Sequence, residues 1–283
     1  MGQILQGKPV ALALSQQLKE RVADMRRQGK TPRLAIVRLG EAPDDIAYEK
    51  SAIKCCRDHE VDVQSIVLPA GTGEEQLLAH LQAVNDDKQT DGCLLLKPLP
   101  PGIRESKAAE ALAPQKDVDG ITPGSLAHLC GLDIAGFPPC TAQACLEILD
   151  HYQIDAAGKR AVIIGRSLVV GKPLAMLLLA RNATVTVCHS KTKDLPAVVR
   201  EADIVVAAMG RARLLGAEYF RPGQIVLDVG INFDDQGKMC GDVDFAQVEP
   251  IVAAITPVPG GVGAVTNRVL LKHVVDAAQR VLG

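Results

Sequence analysis

The chain has little excess of charge of either sign: 31 basic and 33 acidic residues leave a formal net charge of −2 over 283 positions. It generates no global field that would gather nucleic acid or an anionic membrane, so a small-molecule partner is expected. No stretch approaches the roughly 18 uninterrupted apolar residues of a membrane-spanning helix. The opening MGQILQGKPV lacks a basic region followed by an apolar one. Membrane insertion and secretion therefore both lack support, and a cytoplasmic protein is expected. Eight cysteines, at 55, 56, 93, 130, 140, 145, 188 and 240, include no C-x-x-C pair. Several sit in apolar runs where a thiol behaves as a small hydrophobe, which favours buried reduced thiols over a metal site or a disulfide framework. Repeats and low-complexity segments are missing as well.

What the chain does have is core-forming material. With 47% hydrophobic residues it is long enough for one large domain or, better, two ordinary ones. Apolar, β-branched runs alternate with segments of helical period from end to end, the pattern of parallel strands joined by crossover helices, so the fold class is α/β. Strands are predicted at RLAIVRL (33–39), VDVQSIVL (61–68) and DGCLLL (91–96). In the second half they recur at RAVIIG (160–165), ATVTVC (183–188), DIVVAA (203–208), QIVLDVG (224–230) and PIVAAIT (250–256). The helical pattern of residues 10–27 places Leu14, Leu18, Val22 and Met25 on one face, as a packed amphipathic helix requires. DGITPGS and GFPPC mark loops between the halves, and TAQACLEILDHY reads as a helix leading into the second domain. The expected division is residues 1–141 plus a C-terminal helix at 265–283 in one domain, and 142–264 in the other.

The segment AVIIGRSLVVGKPLAMLLLA joins a strand, a glycine turn and a helix. Such a turn lets the backbone approach a phosphate while the helix N-terminus offers unpaired amides. It departs from G-x-G-x-x-G, because Ser167 holds the second glycine position and Gly171 stands six residues after Gly165; a plain strand-to-helix turn would read much the same. The next strand, ATVTVC, ends in His189, Ser190, Lys191 and Thr192 rather than the acid that holds a bare ribose. A hydroxyl and cations, with Arg166 on the adjacent loop, suit the extra phosphate of NADP better than NAD. Lys191 and Lys193 read equally as solvated loop charges. TPVPGGVGAVT reads as a rigid proline turn, then glycines that permit a close approach, then a helix start at 265–267.

Taken together, GRSLVVGKP, VTVCHSKT, ADIVVAAMG, LDVGIN, GDVDF, TPVPGGVGAVT and KDVDGITP resemble the bacterial methylenetetrahydrofolate dehydrogenase/cyclohydrolase family, in order and spacing along nearly the whole chain. The resemblance implies an N-terminal α/β domain, a Rossmann-like NADP domain, a folate cleft between them and a homodimer. It implies oxidation of methylenetetrahydrofolate to the methenyl cation in one-carbon metabolism, feeding purine biosynthesis, followed in most members by hydrolysis to formyltetrahydrofolate. Carried over by position, Gly165, Arg166, Ser167, Ser190 and Ile231 are expected to contact the cofactor. Tyr48, Asp119, Pro259, Gly260 and Gly261 are expected on the folate side. Hydride transfer needs chiefly two rings held face to face. A carboxylate such as Asp119 suits the amide and amine edges of a pterin, although in KDVDG it also reads as a turn cap.

The chain departs from that family at one cluster. The usual Ser three residues before Tyr48 is Asp45, the usual Lys four residues after it is Ala52, and D-G-x-x-x-Q-L-P-L-P appears as DGCLLLKPLP, with Leu96 for Gln and Lys97 for Leu. On a helix of about 3.6 residues per turn, Ala52 shares the Tyr48 face while Lys50 and Lys54 point elsewhere. The Lys and Gln serve the hydrolytic step of the family, so the dehydrogenase is expected to survive and the cyclohydrolase to be weak or absent. The alternative keeps both activities, with Lys97 reaching the pocket as a catalytic substitute. Strand alternation sets it opposite Leu96, Pro98 disturbs the pleat, and pairing with Asp45 would make it a binding group instead. Smaller departures, PCTAQA for P-C-T-P-x-G and GAVT for G-P-M-T, concern loop stiffness. Other readings are an NADP oxidoreductase of a shikimate-like hydroxy acid, which needs a Lys–Asp pair, and a non-catalytic nucleotide-sensing module.

Overall fold

A computed structural model describes residues 2–282. The chain divides into two compact units, Ala13–Cys140 with the helix from Asn267 onward, and Thr141–Thr266 with the residues up to Leu12. Eleven strands run in chain order among the described residues. They are β1 (Gln3–Ile4), β2 (Arg33–Leu39), β3 (Asp62–Leu68), β4 (Gly92–Leu95), β5 (Arg160–Ile164), β6 (Thr184–Cys188), β7 (Ile204–Ala207), β8 (Ile225–Asp228), β9 (Asn232–Phe233), β10 (Met239–Cys240) and β11 (Ala254–Ile255).

The first unit is built on the parallel sheet β3-β2-β4. Its central strand is buried along almost its entire length, which explains why RLAIVRL is nearly continuous in apolar residues rather than alternating. Ala35, Val37 and Leu39 share one core with Cys93 and Leu95 of β4 and with Leu77, Leu81 and Val84 of helix Glu74–Asp86. Helix Gly7–Arg27 presents the predicted stripe, and Leu14, Leu18, Val22 and Met25 are all buried. The chain leaves β2 for β3 on one side and returns to β4 on the other, so loops diverge at the C-terminal ends of β2 and β4. That divergence is where open α/β sheets bind ligands.

The second unit has a six-stranded parallel sheet in the order β1-β11-β8-β7-β5-β6, plus the small antiparallel pair β9–β10. Its switch point lies between β5 and β7, ahead of Gly165 and Ala208. The first twelve residues, read from the sequence as part of the first domain, supply the edge strand β1, which pairs with β11 some 250 positions away. The expected strand at 250–256 contracts to two residues. The amides of Ile251 and Val252 bond back to Val248 at 2.9 and 3.2 Å and continue a helical turn from Phe245–Val248. No helix among the described residues is long and apolar enough to cross a membrane. All eight cysteines are free; Cys130 is exposed and the other seven are buried.

Candidate active site

In the second unit, a cavity of about 670 Å³ opens at the β5/β7 switch point, within the usual range for small-molecule and cofactor sites. Its floor is the Gly165 turn. Gly165 has φ +139°, a conformation open to glycine, and a Cβ there would collide with the carbonyl of Ala208. Gly171 packs its backbone on the carbonyl of Gly165 with the same lack of room, so the two glycines let helix Gly171–Ala180 start directly over the turn. Between them the Ser167 hydroxyl accepts the amides of Val170 at 3.1 Å and Gly171 at 3.5 Å, closing the turn in the manner of an N-cap.

The loop after β6 forms the opposite wall. Thr192 ties it, its hydroxyl accepting the His189 amide at 2.9 Å and its amide donating to the His189 carbonyl at 2.8 Å. Ser190 is left exposed on the wall with His189 and Thr192, while Lys191 and Lys193 lie out in solvent. Arg166 and Arg211 both reach this cavity, and among the described residues neither guanidinium makes an ion pair. Two uncompensated guanidinium groups, hydroxyls and a glycine turn at a switch point form a donor set that suits a phosphorylated dinucleotide.

Behind the cavity a pair of buried acids ties three loops together. Asp228, at the end of β8, accepts the amides of Gly230 and Asp242 at 3.0 Å each and that of Val243 at 2.9 Å. Asp242 accepts Met209 at 2.5 Å, Gly210 at 3.2 Å, Arg211 at 2.8 Å and the Asn232 side chain at 3.0 Å. Burial pushes the Asp228 carboxyl up to about 7, its amide donors pull the other way, and the Asp242 charge adds to the rise. LDVG and GDVD carry this arrangement. Gly241 has no room for a Cβ against Asp228, nor Gly230 against Asp242.

In the first unit, helix Pro43–Arg57 and the loops after β4 and before helix Pro123–His128 place a second cluster. Tyr48 is half-buried, and its phenol is raised far above the ordinary tyrosine range, first by burial and then by the neighbouring Asp119, Cys140 and Cys55. Asp119 is pushed up to about 6, mainly by burial and the Asp117 carboxylate. A hydrogen bond with the Cys140 thiol and the Lys97 ammonium hold it down in part. Lys97 makes no ion pair with Asp119 and exerts the smallest of these influences on it; among the described residues the Asp45 side chain makes no hydrogen bond or ion pair. The turn in KDVDG is capped by Asp117, which accepts Ile121 at 3.0 Å and Thr122 at 2.7 Å, so Asp119 is released from that duty. Ala52, on the Tyr48 face, is 1% exposed and Leu96 is 6% exposed, whereas Lys50 and Lys54 are exposed.

Residues 5–119 match the model of the tetrahydrofolate dehydrogenase/cyclohydrolase catalytic domain, and residues 139–282 match that of the NAD(P)-binding domain of the same family. The chain belongs to the tetrahydrofolate dehydrogenase/cyclohydrolase family. It is 50% identical to the bifunctional protein FolD of Carboxydothermus hydrogenoformans over 281 residues, 99% of this chain and 98% of that one. The FolD methylenetetrahydrofolate dehydrogenase/cyclohydrolase of Campylobacter jejuni superposes with a TM-score of 0.96 at 39% identity, covering 99% of both chains. The Trypanosoma brucei FolD, solved with NADP cofactor and an inhibitor, gives 0.92 at 34% identity over 99% of this chain and 98% of that one. As a member of this family the chain is an enzyme, an oxidoreductase with an NAD(P)-binding domain.

Among the residues that family resemblance singled out, Gly165, Arg166, Ser167 and Ser190 come together on one cavity, and Tyr48, Asp119 and Lys97 form the other cluster. Ile231 is exposed beside the Asp228–Asp242 network. The glycines of TPVPGG have a reason internal to their own unit. Gly260 has φ +101°, and a Cβ on Gly261 would press on the Pro257 carbonyl at 2.5 Å. The Gly7 amide donates to the Gly260 carbonyl at 2.8 Å. At Gly261 a close neighbour is the chain itself, whereas a Cβ on Gly260 would meet nothing nearer than Pro257 at 4.0 Å. Arg211, Asp228 and Asp242 were missed; an acid ending an apolar strand beside glycine, in LDVG, is the signal that marks such a buried network.

Proposed function

We propose that this member of the family oxidises methylenetetrahydrofolate to the methenyl form with NADP, and that hydrolysis of the product on this chain is weak or absent. The observation that carries the reading is the burial of the apolar side chains Ala52 and Leu96 at the two positions where the family resemblance calls for Lys and Gln. NADP, when bound, supplies the hydride acceptor. The residues of the chain bind and orient: Arg166, Arg211 and Ser190 offer donors to phosphate oxygens, and ionised Asp119 accepts from the donor edge of the pterin. Pro259, Gly260 and Gly261 are assigned to folate in this reading. Tyr48, held protonated by its surroundings, is a donor for the substrate in this reading and cannot serve as a base that activates water. A homodimer is part of the proposal, with Phe233 on the β9–β10 pair, 65% exposed, as apolar surface for it.

A second reading keeps both activities. It is favoured by the action of the Lys97 ammonium on Asp119, which brings a cation within electrostatic reach of the cluster. Purified protein followed first for NADPH formation and then for loss of methenyl absorbance, corrected for spontaneous hydrolysis, separates the two. Oxidation without accelerated hydrolysis is the expected result; enzyme-accelerated hydrolysis that collapses in Lys97→Ala would replace the first reading by the second.

Arg166→Ala is expected to raise KM for NADP about tenfold, the worth of one charge-assisted hydrogen bond. KM for folate should stay unchanged. An equal loss with NAD in place of NADP would move Arg166 away from the extra phosphate.

A further inference from the structure

The carbonyl of Val118, the residue before Asp119, is gripped from two directions inside the first unit. Cys140, at the start of helix Cys140–His151, places Sγ 3.3 Å from it, and Nδ1 of His273, on helix Thr266–Leu282, lies 2.9 Å away. Sγ and Nδ1 are themselves 3.8 Å apart, and both side chains are buried. Because a carbonyl can only accept, Nδ1 of His273 must carry the proton in that bond. The imidazole is fixed in turn: it stacks on Phe137 with ring centroids 5.0 Å apart, and Arg280 covers the same Phe137 ring at 4.3 Å.

The Cys140 thiol donates to the Val118 carbonyl and lies near enough to the Asp119 carboxylate to favour its ionised form. Burial and the adjacent acids hold the thiol well above its ordinary range, so that proton stays on sulfur. The carbonyl has two lone pairs and accepts both donors, so the thiol and the imidazole together hold the peptide that precedes Asp119. We infer that Cys140 and His273 are positioning residues for the folate-binding carboxylate, both gripping the Val118 carbonyl so that the adjacent Asp119 is held in place.

This inference rests on the reading of Asp119 as a folate contact. The groups that face Asp119 are Asp117 on its own loop, Lys97 at the end of β4, Tyr48 on helix Pro43–Arg57 and Cys140, with His273 acting through Val118. Removing the thiol donor takes away one influence that favours the ionised carboxylate, while Asp117, Lys97 and Tyr48 stay in place. The acid limb of kcat/KM for methylenetetrahydrofolate should then move to higher pH.

The test compares Cys140→Ala, Cys140→Ser, His273→Leu and His273→Asn in the full-length enzyme, with Asp119→Asn as reference. Cys140→Ala and His273→Leu are expected to raise folate KM about tenfold and shift the acid limb upward, with KM for NADP unchanged. Cys140→Ser keeps a hydroxyl donor. His273→Asn keeps an amide N–H near the place of Nδ1. Both should restore most of the loss, which a packing defect would not allow. If Asp119→Asn alters folate KM and the acid limb while Cys140→Ala and His273→Leu leave both unchanged, or if the two conservative variants fail to rescue, the positioning role is wrong and the folate reading stands. If Asp119→Asn itself changes neither, the folate reading fails first.

Discussion

Asp119→Asn is expected to lower kcat/KM for methylenetetrahydrofolate about 100-fold near neutral pH, the worth of two charge-assisted hydrogen bonds to a pterin edge. The amide offers one acceptor where the carboxylate offers two, and it turns an N–H toward ligand donors. The pH dependence has a definite sign. Asp119 is raised from 3.8 to about 6, so the wild-type carboxylate is mostly ionised at neutral pH and mostly protonated a unit below that midpoint. Folate kcat/KM should therefore fall about tenfold per pH unit below about 6 in the wild type and stay low and flat in the variant. For folding the sign is the reverse: a carboxyl raised in the native state contributes stability that is fully present below 3.8 and is lost as pH rises through about 6. Asp119→Asn should thus leave the melting temperature at neutral pH unchanged or slightly higher. Steady-state kinetics across pH with thermal denaturation beside them read both, and a flat wild-type profile would remove Asp119 from the folate site.

The neighbouring acid in the same KDVDG phrase behaves oppositely. Asp117 is fully buried and accepts two amides of the turn, so its replacement should be felt as lost stability before lost activity. Two aspartates two residues apart thus divide structure from recognition. Sequence alone does not separate them, because both are turn-capping residue types in a turn. Only the location of the Ile121 and Thr122 amides decides which one caps.

Much of the fold was legible because its signal is local. RLAIVRL forms a strand from its first residue to its last, and the helical rotation that turned Lys50 and Lys54 outward and set Ala52 on the Tyr48 face is visible in their exposure. What escaped was set by distant partners. Two residues of β1 have no periodicity to show, and they become a strand through β11. The β9–β10 pair is equally short. Lys97 illustrates the limit of a periodic rule: alternation sets it opposite Leu96, yet its ammonium acts on Asp119, at a strand end that leads into Pro98.

The largest structural effect is expected at Gly241. A Cβ there would overlap the Asp228 carboxylate, which cannot retreat without releasing the amides of Gly230, Asp242 and Val243. Asp242 lies in the same tie, so the loop of Met209, Gly210 and Arg211 would loosen with it. Leaving buried amides unpaired costs about 1–3 kcal/mol each, so Gly241→Ala should lose about 3 kcal/mol or more, roughly 5 °C in melting temperature for a chain of this size. Because Arg211 and the turn at Ala208 wall the nucleotide cavity, affinity for NADP should drop in parallel, measurable by fluorescence titration below the melting transition. Gly237→Ala makes the contrast. That glycine has open space where the Cβ would go but φ +72°, so it should cost only the strain of a left-handed alanine, about 1 kcal/mol, and leave NADP binding intact. Equal losses in the two variants would show that backbone strain, and not the carboxylate tie, governs these loops.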